Sequence, residues 1–141
     1  MLYQRFLISI VLFCSVLAAS AQQRFNPQAF DCDLINYVVR HANLTPEETK
    51  RFVPLYKEMK AKKRDIHDEL RQLKHQQTAS ERVARSLISR CDNLEVRMKQ
   101  VDKDYHQRML KVLSAVKLKA VIDAERQYHR LVFRKAAKRG R

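Results

Sequence analysis

The scarcity of helix-breaking residues constrains this chain more than any other feature of its sequence. It contains one glycine, Gly140, and three prolines, Pro27, Pro46 and Pro54. Leu, Lys, Arg, Glu, Gln and Ala, which favour helices, dominate the rest. Neither an alternating strand pattern nor an Asn-Gly or Asp-Gly hairpin signal occurs in the sequence. The sequence therefore predicts an all-helical protein.

Residues 1–21 have the pattern of an export signal. An apolar run of 12 residues follows Arg5, and the small residues after it suit cleavage by a signal peptidase. The run is shorter than the ~20 residues that a helix needs to cross a bilayer, and no later segment is apolar for long enough. We therefore expect a soluble periplasmic protein with one all-helical domain over 22–141.

Four N-terminal caps divide the chain into four predicted helices. Side chains of Ser, Thr and Asn accept hydrogen bonds from the first N–H groups of a helix, and a glutamate three residues later completes a capping box. The expected caps are Asn26, Thr45, Thr78 and Ser114, with boxes completed by Glu48 and Glu81. The predicted helices lie near 27–42, 46–76, 79–113 and 115–137.

The second and third predicted helices carry apolar seams with a period near 3.5 residues, which is typical of coiled coils. The seam of the second contains Phe52, Tyr56, Met59, Ile66, Leu70 and Leu73, interrupted by Lys63. The seam of the third contains Ala84, Leu87, Cys91, Leu94, Met98, Val101, Tyr105 and Val112, interrupted by Arg108. We expect a long antiparallel hairpin, too thin to bury much apolar surface by itself, and therefore a twofold homodimer.

Two features of these helices leave alternatives open. Pro54, in the third turn of the second helix, predicts a kink or short break near Val53. It either bends the helix or ends a short helix before a longer one begins. Cys32 and Cys91 can form a disulfide within one chain, form disulfides between two chains, or remain thiols.

The chain is strongly basic, with a formal net charge of +14. In an exported protein this charge does not indicate nucleic-acid binding. We expect negatively charged binding partners such as unfolded acidic polypeptides, anionic membrane surfaces and acidic proteins. Alternatively, the charge mainly keeps an elongated helical protein in solution. The most basic segment is the C-terminal tail, 126–141, whose first half is amphipathic. This tail lies on an anionic membrane, docks on a partner chain, or is a frayed helix end.

Two short motifs resemble those of a known family. Leu44-Thr45-Pro46-Glu47-Glu48 resembles the Leu-Thr-x-x-Gln motif of the small periplasmic Spy/CpxP proteins. Two further segments, Phe52-Val53-Pro54-Leu55-Tyr56 and Ala124-Glu125-Arg126, resemble forms common in the family's Bacteroidetes relatives. A second copy of the motif would fall at Leu113-Ser114-Ala115-Val116-Lys117. Glu48 and Lys117 replace the two glutamines, and Ser114 replaces the second threonine. The motif residues are Leu44, Thr45, Glu48, Leu113, Ser114 and Lys117.

The resemblance implies a cradle-shaped homodimer whose concave side binds unfolded or partly folded clients without ATP or another cofactor. The basic residues along the middle of the hairpin suit that role because positive charge attracts acidic chains. Phe52, Met59 and Met98 are either exposed client contacts or part of the hairpin core. The candidate client-binding residues are Phe52, Lys57, Met59, Lys60, Lys63, Arg64, Arg97 and Met98.

The resemblance also implies an alternative function. Some family members act as sensors or inhibitors in envelope-stress signalling, and a distant branch binds metal. The alternative is therefore a periplasmic sensor or regulatory subunit that binds a metal or the outer domain of a membrane-bound stress sensor.

The sequence gives little support for metal binding or catalysis. Asp102 with His106, and Glu125 with His129, have the i,i+4 spacing of metal ligands, but such pairs are also common on helix surfaces. No nucleophile elbow, phosphate-binding glycine loop or metalloprotease helix occurs. We therefore expect no metal, no cofactor and no enzymatic activity.

Overall fold

The computed structural model of the chain describes residues 26–139, which form four α-helices and no strand. The all-helical prediction is confirmed for this range. The helices are α1 Pro27–His41, α2 Pro46–Lys74, α3 Glu81–Met109 and α4 Ala115–Arg139. None of these four helices has the length and apolar character needed to cross a membrane. The export signal expected over 1–21 lies outside the described residues.

Contacts divide the described chain into residues 26–30 and 31–139, a boundary that falls within α1. In the short first unit, the Asn26 side chain accepts hydrogen bonds from the N–H groups of Gln28, at 3.0 Å, and Ala29, at 3.2 Å. Asn26 is therefore the cap of α1, as predicted.

The caps predicted for α2 and α4 are also confirmed. Thr45 Oγ1 accepts the Glu48 N–H at 3.2 Å, and the Glu48 carboxylate accepts the Thr45 N–H at 2.8 Å, which is a complete capping box. At the start of α4, Ser114 Oγ accepts the Lys117 N–H at 3.3 Å. Just before α2, Asn43 adopts the left-handed conformation, with φ 48°, that often ends a helix.

The capping box predicted for α3 is wrong. Thr78 does not begin the helix, because its Oγ1 accepts a hydrogen bond from the Ser80 N–H at 3.1 Å in a local turn. The helix begins two residues later than predicted, at Glu81, with Ser80 as its N-cap.

The predicted end of α3, at 113, is also wrong, because the helix ends at Met109. Residues 110–113 form a turn in which the Leu113 N–H donates to the Met109 carbonyl at 2.8 Å. The turn buries the Leu113 side chain, which is 4% exposed. It also releases Ser114 from the helix so that it can cap α4.

Pro54 does not break α2, which runs without interruption from Pro46 to Lys74. Of the two alternatives left open for Pro54, the one in which it ends a short helix before a longer one is therefore wrong, and α2 is one helix. Pro54 removes one backbone hydrogen bond, to the carbonyl of Lys50. Phe52 and Tyr56, on either side of it, are fully buried and fix the helix in place.

The apolar seam of α2 is confirmed residue by residue. Burial of each such side chain contributes about 1.5–3 kcal/mol. All six predicted members are buried: Phe52, Tyr56, Met59, Ile66, Leu70 and Leu73. Its C-terminal half packs with α3 in a cluster of Ile66, Leu70, Leu73 and Leu94, against which Leu87, Cys91, Met98 and Val101 lie.

The seam of α3 is less completely buried than that of α2. Only Leu94 and Tyr105 of the predicted residues are buried, and the others are half-buried. Met109 is an additional core residue that the sequence analysis did not include. Arg108, which interrupts the seam, lies over the Tyr105 ring at 4.5 Å and donates to Glu58 of α2 at 3.1 Å.

Ion pairs join α2 to α3 along their lengths. As the residue numbers rise on α2, those of the partners on α3 fall. The pairs are Glu58 with Arg108 at 3.1 Å, Lys63 with Asp102 at 2.6 Å, Glu69 with Arg97 at 3.8 Å, and Lys74 with Glu95 at 3.5 Å.

The outer helices complete the core. Leu34 and Val38 of α1 are fully buried, as are three residues of α4, Leu118, Val121 and Ala124. Both cysteines of the described range are free thiols, Cys32 exposed and Cys91 half-buried. The intrachain disulfide is therefore not formed in this structure.

Replacing Pro54 with Ala should stabilise the protein by about 1–3 kcal/mol. The change restores the hydrogen bond to the Lys50 carbonyl and removes the clash of the ring with the preceding turn. Urea denaturation followed by circular dichroism measures the free energy of unfolding. Lys57→Ala, on the same helix, is the control and should change it by less than about 0.5 kcal/mol. A destabilised Pro54→Ala variant would mean that α2 is bent where the proline lies.

Candidate functional site

The two sequence motifs meet in the structure. Lys117 Nζ lies 2.5 Å from Glu48 Oε2, so the last residues of the two motifs form an ion pair between α4 and α2. Both side chains are half-buried, 29% and 23% exposed. We call the six motif residues and this ion pair the motif junction.

Glu48 has two roles at the motif junction. Its carboxylate accepts hydrogen bonds from the Lys117 side chain and from the Thr45 backbone, and these hold the pKa of Glu48 below its ordinary value of 4.5. The same group therefore completes the cap of α2 and fixes the first turn of α4. Leu113 is buried in the core and Leu44 is half-buried, so the junction is anchored by apolar contact as well.

A second ion pair between α2 and α4 lies farther along both helices. Lys60 Nζ donates to Glu125 at 2.9 Å, and both side chains are about one-fifth exposed. Burial alone would raise the pKa of Glu125, but the positive charge of Lys60 lowers it below the ordinary value. The nearby Tyr56 hydroxyl has a raised pKa because it is buried and faces this carboxylate. The contact between α2 and α4 is therefore stabilised by this ion pair as well as by apolar packing.

The structure corrects several of the expected client-binding residues. Phe52 and Met59 are buried, 0% and 2% exposed, so the expectation that they are exposed client contacts is wrong. They belong instead to the seam of α2, the alternative that the sequence analysis left open. Met98 is half-buried at the edge of the core cluster.

Most of the basic residues in that set are paired with acidic side chains of neighbouring helices. Lys60 pairs with α4 and Lys63 with α3, as described above. Arg64 donates to Asp31 of α1 at 3.0 Å, and Arg97 lies 3.8 Å from Glu69. Lys57 is exposed and forms no salt bridge within residues 26–139. The middle of α2 therefore presents less free positive charge than its sequence indicates.

A groove between the C-terminal part of α2 and the middle of α3 is more accessible to a ligand than the ion-paired middle of α2. It has a volume of about 500 Å³, within the range of ligand pockets. Met98 contributes half-buried apolar surface, Leu70 lies buried beneath it, and the only carboxylate of the lining is Glu95. Its lining is His67, Leu70, Arg71, Lys74, His75, Glu95, Met98 and Lys99, which we call the basic groove.

A second groove, between α2 and α3, has a different charge. Its volume is about 440 Å³, and three carboxylates face two basic side chains there. The lining is Lys62, Asp65, Ile66, Glu69, Arg97, Gln100, Val101 and Asp104. Excess positive charge therefore belongs to the basic groove and not to every groove of this helix pair.

Three of the four weak metal candidates, Asp102, Glu125 and His129, lie within ion-pair distance of a charged partner. Asp102 pairs with Lys63, and Glu125 lies 2.9 Å from Lys60 and 3.6 Å from His129. Within residues 26–139, no group of three or more His, Cys, Asp or Glu side chains is placed to hold a metal ion.

The sequence analysis missed the basic groove, although a signal for it was present. His67, Arg71, Lys74 and His75 follow one another at i, i+4, i+7 and i+8, so they share one face of α2. The groove also needs Lys99 and Met98 from α3, which only the pairing of the two helices brings close. Comparison of the chain with protein-family models, curated proteins and solved structures finds no match.

Replacing Glu48 with Gln should destabilise the protein at about pH 7, because Lys117 loses its partner while the amide can still complete the capping box. A lowered folded-state pKa contributes stability that is present above pH 4.5 and is lost as the pH falls through the folded-state value. The difference between the two proteins should therefore shrink towards about pH 3. Urea denaturation at both pH values measures it.

The matched control is Glu81→Gln, at the start of α3. The ion pair of Glu81 with Arg85 is exposed, 83% and 81%, and its loss should have little effect at either pH. An effect of Glu48→Gln that is as large at about pH 3 as at about pH 7 would contradict a role for the Glu48 charge.

Proposed function

We propose that this protein is an ATP-independent, chaperone-like protein of the periplasm that binds unfolded or partly folded polypeptides in the basic groove. The observation that carries the proposal is the composition of that groove, in which basic side chains surround the half-buried, apolar Met98 side chain. Unfolded chains expose apolar side chains and charged groups together. A groove with both properties binds many of them weakly and without one required sequence.

The charge of the groove favours acidic clients. Arg71, Lys74 and Lys99 line the groove with one carboxylate, Glu95. Their ion pairs, with Asp68, Glu95 and Asp102, involve cations that are 60–86% exposed, and such exposed pairs are weak enough for a client carboxylate to replace. The rest of the chain adds a large positive field. Such a field speeds capture of acidic chains over a Debye length of ~10 Å, and salt weakens it. Met98 has a flexible side chain that adapts to clients of different shape.

We further infer that α2 and α3 form an antiparallel hairpin and that two chains associate as a twofold homodimer. The opposite order of the ion-paired residues along the two helices supports the hairpin. The half-buried residues at the start of the α3 seam, Ala84, Leu87 and Cys91, support the dimer, because a second chain would bury them further. Cys91, on that seam, is a free thiol that such an interface would cover.

The family resemblance supports a location in the periplasm. The motifs beginning at Leu44 and Leu113, together with the export signal, are similar to those of the Spy/CpxP proteins. The ion pair of Glu48 with Lys117 supports a shared role for the two motifs, because it joins them directly. Export would place the basic groove where unfolded envelope proteins occur.

Suppression of aggregation tests the client-binding function. The purified protein, without nucleotide, should suppress aggregation of a reduced, acidic model protein at low salt, and less so at high salt. The variant Arg71→Gln, Lys74→Gln, Lys99→Gln should require a concentration on the order of tenfold higher for the same effect. Light scattering follows the aggregation.

The matched control removes equal charge elsewhere. Arg82, Arg90 and Lys103 are exposed on α3 and form no salt bridge within residues 26–139. Their combined replacement by Gln should leave suppression nearly unchanged. Equal loss in both variants would show that only the net charge matters, and no suppression by the unaltered protein would overturn the chaperone function.

Sedimentation equilibrium tests the dimer separately. The expected mass is twice that of one chain, and Leu87→Glu, which places a charge on the half-buried seam of α3, should shift it towards the monomer. Circular dichroism establishes whether that variant retains its helices. A monomeric unaltered protein at micromolar concentration would contradict the dimer while leaving the groove intact.

A further inference from the structure

The C-terminal part of α4 differs in charge from every other segment of the chain. Residues 126–141 contain seven basic residues and no acidic one. The last buried residue of α4 is Ala124, yet the helix continues to Arg139. We call residues 126–138 the α4 extension. Of its basic residues, Arg126 pairs with Asp123 at 2.8 Å, whereas Arg130, Arg134, Lys135 and Lys138 form no salt bridge with the described residues.

One large apolar side chain on the α4 extension faces solvent. Phe133 is 76% exposed. At 100° per residue, Arg126 lies about 20° and Arg130 about 60° from Phe133 around the helix, so all three share one face. Soluble helices seldom leave an aromatic ring uncovered beside two guanidinium groups, and this combination is typical of helices that lie in a membrane interface.

We propose that the α4 extension binds to the surface of an anionic lipid bilayer, with Phe133 inserted among the head groups. The basic side chains complement the lipid phosphates, and the planar guanidinium groups can bind them in bidentate fashion. Arg side chains extend their apolar stems along the interface while the charged ends stay in the head-group layer. The helix lies on the membrane and does not cross it, in agreement with the lack of a spanning helix within residues 26–139.

A second exposed apolar residue of α4 provides a comparison. Val116 is 79% exposed, but the residues one and two turns after it are Lys119 and Asp123, which pair with each other. Its surroundings therefore carry no net positive charge. Phe133 and Val116 are therefore similarly exposed. They differ because the helix around Phe133 carries cations that form no salt bridge with the described residues, among them Arg130 and Arg134. This binding is independent of the basic groove and of the proposed client-binding function.

The absence of tryptophan from the chain allows a direct test. In the full-length exported chain, Phe133→Trp places a single reporter on the α4 extension, and Val116→Trp places one on the comparison site. With vesicles of phosphatidylglycerol and phosphatidylcholine, emission from the first variant should shift to shorter wavelength, and emission from the second should not. Vesicles of phosphatidylcholine alone should shift neither.

Charge variants identify the source of the affinity. Replacing Arg130, Arg134, Lys135 and Lys138 with Gln should reduce co-sedimentation with anionic vesicles by about tenfold or more. The charge-matched control replaces Arg51, Arg82, Arg90 and Lys103, which are exposed and form no salt bridge within the described range. This control should retain most of the binding.

Three results would overturn the proposal. Equal binding to neutral and anionic vesicles would exclude charge recognition by the α4 extension. Equal loss in the two charge variants would assign binding to net charge alone. A blue shift of the Phe133→Trp emission with polyglutamate but not with anionic vesicles would identify an acidic protein as the partner. Circular dichroism of each variant verifies that its helices are retained.

Discussion

Burial of one continuous apolar seam along α2 is the constraint on which the rest of this structure depends. The six seam side chains are buried, from Phe52 near the start of the helix to Leu73 near its end. A helix that buries a full side over this length needs neighbours along its whole extent. The other three helices supply them, and the seam of α3 keeps several half-buried apolar side chains.

A short segment of α2 contacts all three of these neighbours through charge. Lys60 pairs with α4, Lys63 with α3 and Arg64 with α1, all within five consecutive positions. Each of the first two pairs is about one-fifth exposed, so neither cation can leave its partner without leaving a partly buried carboxylate uncompensated. The basic cluster in the middle of α2 is therefore structural, and the positive charge available to a ligand lies at the end of that helix and on α4.

Much of the fold was predictable because its signals are local. The 3.5-residue spacing identified every buried residue of the α2 seam, and the caps at Asn26, Thr45 and Ser114 identified three helix starts correctly. The cap predicted at Thr78 was wrong because its hydroxyl can accept a hydrogen bond from the Ser80 N–H or from the Glu81 N–H. The sequence does not determine which of the two forms, and the structure has the first. The end of α3 was missed because burial of Leu113 is a tertiary contact.

The candidate site was less predictable, for a physical reason. Whether a lysine is free to bind a ligand depends on carboxylates far away in sequence, as with Lys60 and Glu125, 65 residues apart. The basic groove likewise combines Arg71 of α2 with Lys99 of α3, which helix pairing brings together. Only the helical spacing of His67, Arg71, Lys74 and His75 along one face of α2 was available beforehand.

The two ion pairs between α2 and α4 have opposite polarity. In one, the acid is on α2, Glu48 with Lys117, and in the other it is on α4, Lys60 with Glu125. If α4 docked with its direction reversed, glutamate would face glutamate and lysine would face lysine. Apolar side chains tolerate either direction of a helix, whereas these four charges accept only one. The four charges thus specify the direction in which the last helix docks and disfavour the reversed orientation during folding.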